Sequence, residues 1–141
     1  MVVVEAKFGS ANSTLDKKDY DGVDEFLGCY EAREGDDPLD RAWLTTQSPA
    51  VVLEQLCRMA VFGSWLSPEG EQVVVVNLLR RHDLAKSPPA FERHLAPNGR
   101  FRFKACAWEQ LIPLADSAPN DTLHRYLLDK SFALEPAFQL T

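Results

Sequence analysis

Met1-Val2-Val3-Val4-Glu5-Ala6-Lys7-Phe8-Gly9-Ser10 is the stretch from which the fold is read. The apolar run predicts a buried strand, with a carboxylate and an amine two residues apart near its end. Side chains alternate along a strand, so Glu5 and Lys7 share one face, while Val4, Ala6 and Phe8 share the other. Charged groups are seldom fully buried unless paired or bound to metal. Glu-x-Lys at the open end of such a strand is therefore either an exposed ion pair, worth little, or a site. A carboxylate is a hard oxygen ligand suited to Mg2+. A neighbouring ammonium can orient water or stabilise charge on a phosphate oxygen. Together they suit metal-assisted phosphodiester hydrolysis. The tripeptide is common, so both readings stay open. Gly9, Ser10, Asn12 and Ser13 predict a polar loop beside the pair.

The next buried strand is Val73-Val74-Val75-Val76, continuing into Asn77-Leu78-Leu79. Between the two lies the best helical stretch, opened by Ser48-Pro49 and running from Ala50 to Leu66. Val52, Leu56, Met59 and Phe62 form its expected apolar stripe, widened by Leu53, Ala60 and Val61. Gln55 and Arg58 share a face of it, toward solvent or toward a site. Strand, helix, strand predicts a parallel crossover and hence an α/β domain. Arg80 and Arg81 follow the second strand, where ligands sit in open α/β sheets. They read equally as phosphate contacts or as a solvated turn.

Arg100-Phe101-Arg102-Phe103-Lys104-Ala105-Cys106-Ala107 alternates basic and apolar residues, predicting a half-exposed third strand with Arg100, Arg102 and Lys104 on one face. That face is either an edge guarded by charge or a phosphate-facing stripe. Shorter helices are expected over Val23–Glu34, within Leu39–Gln47, from Ser87-Pro88 through Leu95, and from Trp108. A last one is expected over Leu123–Lys130, before an apolar tail from Phe132 to Thr141.

At 141 residues and 45% apolar content the chain is expected to be one domain, 1–141, with a full core. A net charge of -6 gives no general attraction to nucleic acid, although a basic cleft can sit on an acidic body. Cys29, Cys57 and Cys106 lie far apart, with no paired metal spacing and no disulfide framework. They fit a reducing, cytoplasmic setting. No apolar run approaches a membrane span.

The order of these pieces resembles the PD-(D/E)XK nuclease superfamily, in an uncharacterised bacterial, restriction-endonuclease-like branch. Val3 to Ser10 is similar to its second catalytic strand, and Glu54-Gln55-Leu56-Cys57-Arg58 to its Gln-bearing helix. Val73 to Leu78, Phe103 to Leu111 and Leu123 to Phe138 resemble the elements that follow. The resemblance implies a mixed sheet of about four strands flanked by helices, and Mg2+-dependent cleavage of DNA, with Mn2+ as a substitute. Glu5 would bind the metal, Lys7 would activate the water, and Gln55 would support them. Ser10, Arg58, Arg80 and Arg102 would contact substrate. Relatives often dimerise to cut both strands, so a homodimer is an open expectation. The superfamily's first catalytic Asp has no counterpart, since only four residues precede Glu5 and none is acidic. The chain is therefore expected to be N-terminally truncated, with little or no activity by itself. The alternative is a non-catalytic DNA- or protein-binding module on the same fold. An unrelated small-molecule enzyme with a pocket beside Trp108 is a third class.

Overall fold

The computed structural model describes residues 1–6, 14–15, 19–81 and 91–111; for Glu5 and Ala6 it describes the backbone. Three parallel strands, β1 (Val2–Ala6), β2 (Val73–Leu79) and β3 (Phe101–Ala107), form a sheet in the order β1-β2-β3. Val2 pairs with Val74, and Val74 with Arg102; Glu5 pairs with Asn77, and Asn77 with Ala105. The α/β class and the crossover therefore hold. The described strands are all parallel, so a mixed sheet would need a strand outside the described residues. The predicted helices at Ser87 and at Leu123–Lys130, and the tail after Phe132, also lie mostly or wholly outside them.

Among the described residues two short helices precede the main one: α1 (Val23–Cys29) and α2 (Arg41–Leu44). α1 stops earlier than the apolar spacing predicted, and Arg41 supplies the reason. Its guanidinium donates to the carbonyls of Leu27 and Tyr30 at 2.7 and 2.6 Å, taking acceptors that a further turn would use.

Ser48-Pro49 does not open the main helix. Ser48 caps a 3-10 turn, Pro49–Val51; the chain then extends through Val52, and α3 runs from Glu54 to Leu66. The carbonyl of Val52 accepts from the N–H of Leu15 at 3.1 Å, a tertiary bond made at the extended residue.

The expected stripe of α3 is also rotated. Leu56, Cys57, Ala60, Val61, Gly63 and Ser64 are buried, whereas Phe62 is 53% exposed. The small residues face the sheet because the approach is close. A Cβ added at Gly63 would lie 2.6 Å from Val73 Cγ1 and 3.1 Å from Val3 Cγ2.

The helix-bearing face of the sheet carries Val3, Val73, Val75, Phe101 and Phe103 in the main core. Phe91, from the β2–β3 connection, packs edge-on against Phe103 at 5.0 Å. Crossovers between parallel strands are right-handed. With the strands in sequential order, the described parts of both connections, α3 and Phe91, pack on this one face. The other face shows Val2 and Val4 at 61% and 50% exposure, with Arg102 and Lys104 exposed beside them. The expectation of an interior first strand would need a further neighbour from outside the described residues. Among the described residues β1 is an edge, since β2 is the strand with a neighbour on each side. Among the same residues no helix is long and apolar enough to cross a membrane.

Candidate functional site

Parallel strands finish at a common edge, and α3 runs back over them. Gly63, near its end, lies on Val3 and Val73 at the amino ends of the strands. Gln55 is eight residues earlier, about 12 Å back along the axis. The first turn of α3 therefore reaches the carboxyl edge, where β1 ends with Glu5-Ala6. Three elements bring Glu5, Asn77, Gln55 and Arg80 to this edge. Asn77 is fully buried in register with position 5, and Gln55 is partly buried.

Arg80, the residue after β2, is 6% exposed, and its Nε and Nη2 have no hydrogen-bond partner among the described residues. A guanidinium taken out of water without a counter-charge costs several kcal/mol. Next to it, the N–H of Arg81 donates to both carboxylate oxygens of Glu109 at 3.2 and 3.1 Å, tying the end of β2 to the turn after β3.

Arg58 is committed to the protein itself. It pairs with Glu54, one turn earlier, and donates to the Tyr20 hydroxyl at 3.0 Å. Its guanidinium also lies 5.3 Å from the Tyr30 ring centroid. Burial alone would lower its pKa; the bond to Tyr20 and the charge of Glu54 overcome that and hold it above the usual arginine value. Tyr30 is pushed up to about 12, first by burial and then by its bond to Tyr20, against the pull of Arg58. Burial, with Glu54 adding to it, likewise lifts the Cys57 thiol to about 12.

The tyrosine gives a pH prediction. A phenol whose folded pKa exceeds its unfolded value of about 10 keeps its proton longer in the folded state. The stability it contributes is complete below pH 10 and is lost as pH rises through about 12. Chemical melts from pH 9 to 12 are expected to show falling stability that Tyr30→Phe flattens. An unchanged slope in that variant would reject the assignment.

Of the other expected site residues, Lys7 and Ser10 lie outside the described residues. Arg102 is not brought to Glu5: it sits three positions before Ala105, on the opposite sheet face, about 10 Å along and about 10 Å across. Arg100 leaves the expected basic stripe altogether and pairs with Asp36. Glu54 carried a readable sign, a carboxylate four residues before an arginine on a helix. Its burial did not, because Tyr20 and Tyr30 come from another part of the chain. Among the described residues no three His, Cys, Asp or Glu side chains gather as a metal set. Comparison with family models, with curated proteins and with solved structures gave no match.

Proposed function

We propose that the chain is a DNA phosphodiester-cleaving domain of the PD-(D/E)XK type, acting at the carboxyl edge of its sheet. The observation that carries this reading is Arg80, a buried guanidinium just past the strand next to Glu5, whose Nε and Nη2 are unbonded among the described residues. A phosphate oxygen is the anion that would neutralise it, and arginine binds phosphate in a bidentate fork. Glu5 would take Mg2+, Lys7 would face the attacking water, and Gln55 would support them from α3. Ser10 would contact the strand from the loop. The described donors do not complete a metal set around Glu5. Glu54 is held by Arg58, and Glu109 by the N–H of Arg81. The remaining ligands would come from residues outside those described.

A second reading, a non-catalytic DNA- or protein-binding module, is favoured by Arg58 and Glu54 being spent on an internal network. Two measurements separate the readings. Mn2+ titration followed by electron paramagnetic resonance is expected to show weak binding that Glu5→Ala abolishes. Binding that ignores Glu5→Ala, or none at all, would favour the module. Plasmid incubated with the chain and Mg2+ is expected to show no nicking above a Lys7→Ala control while the ligand set is incomplete. Lys7-dependent cutting would mean that the chain supplies the missing ligands itself.

A further inference from the structure

At the amino end of β3, away from Glu5, lies a cavity of about 500 Å3 between α2, the 3-10 turn Phe91–His94 and the strand. That is within the range of small-ligand sites. Trp43, Leu95 and Phe101 supply apolar wall, and Asp40, Glu92, Arg93 and Arg102 line it with charge.

Trp43 is fixed before any ligand arrives. Its N–H is capped by Asp40 Oδ1 at 3.0 Å, and its ring meets His94 edge-on at 5.1 Å. His94 is itself stacked on Phe91 at 5.0 Å and bonded to the Val51 carbonyl at 3.1 Å. A pre-positioned aromatic wall loses little freedom on binding. The charged side chains differ. Those of Glu92, Arg93 and Arg102 make no hydrogen bond or ion pair among the described residues, and all three residues are exposed. Arg93 and Arg102 balance Asp40 and Glu92 in the lining, so on a chain of net charge -6 this cavity is locally neutral and offers two arginines unpaired among the described residues.

We propose that this cavity binds a nucleotide, with the base against Trp43 and the phosphate on Arg93 and Arg102. An indole accepts any base by its π-face, and guanidinium forks match phosphate oxygens. The free nucleotide and the 5′-phosphorylated end of a strand share this chemistry.

Isothermal titration of the full chain with AMP, GMP and ribose 5-phosphate tests it. Both nucleotides are expected to bind at least tenfold tighter than ribose 5-phosphate. Arg102→Ala should weaken them about tenfold, and the Arg93→Ala/Arg102→Ala pair should remove binding. Both arginines are exposed and make no pair among the described residues, so these variants are expected to fold; a thermal melt verifies it. Trp43→Leu should bring nucleotide affinity down to that of the sugar phosphate. A 5′-phosphorylated tetranucleotide that outbinds AMP would identify a strand end as the source; a weaker one would identify the free nucleotide. No nucleotide binding at low millimolar concentration, or binding indifferent to loss of both arginines, would overturn the proposal. Lys7→Ala should leave it unchanged, so failure of the nuclease reading does not carry over.

Discussion

Arg100→Met is expected to lower unfolding stability by about 3–5 kcal/mol, the cost of removing one partner of a buried ion pair. The Arg100 and Asp36 side chains are each 10% exposed and lie in contact. Arg100 also donates to the Glu71 carbonyl at 2.8 Å, Ser67 Oγ at 2.7 Å and the Pro68 carbonyl at 3.1 Å. It thus fastens the start of β3 to the turn before β2 and to the loop after α1. Removing it leaves Asp36 charged, buried and short of partners, for Asp36 Oδ2 already has none. A domain of this size holds only about 5–15 kcal/mol in total, so the loss should be plain in urea melts. Asp36→Asn should cost less, because the guanidinium keeps its three other acceptors. A loss below about 1 kcal/mol in Arg100→Met would show that the pair is solvent-screened.

Gly63 gives the second large effect. In a helix alone, alanine would gain about 1 kcal/mol over glycine. Here the new Cβ would stand 2.6 Å from Val73 Cγ1 and 3.1 Å from Val3 Cγ2. Both valines belong to strands and are β-branched, so neither swings aside freely. Overpacking of this kind costs about 1–3 kcal/mol. Gly63→Ala is therefore expected to be a net loss, and Gly63→Val a larger one, by displacing α3 from β1 and β2. Val73→Ala removes the nearer atom, so the double variant Gly63→Ala/Val73→Ala should be more stable than the two losses added together. Strict additivity in that cycle would place the strain elsewhere.

How far the chain could be read from its sequence differs element by element. β2 was readable to its ends, because four valines followed by Asn77-Leu78-Leu79 leave no other period. β3 was readable from its alternation. That β1 is an edge among the described residues was not, since strand order depends on contacts between distant segments. Ser48-Pro49 has the chemistry of a helix start, and it starts the nearest helical turn; the bond from Leu15 to Val52 is what separates that turn from α3. The convergence of Glu5, Gln55 and Arg80 on one edge follows from a parallel crossover and was within reach. The internal commitment of Arg58 was not, since its partner Tyr20 is 38 positions away. Nor was that of Arg100, whose pattern read as a strand face.

The sheet's connections also bear on the order of its assembly. Arg100 meets the Glu71 carbonyl 29 positions back, whereas the amino terminus meets the Gln72 carbonyl 71 positions on. Closing the longer span costs about 0.8 kcal/mol more in chain entropy. It also waits on every residue between, and late, distant pairings slow folding. During synthesis the first strand leaves the ribosome with its neighbour still unmade. Its valines therefore spend that interval without β2, and the strand that carries Glu5 is expected to be the last of the three to dock.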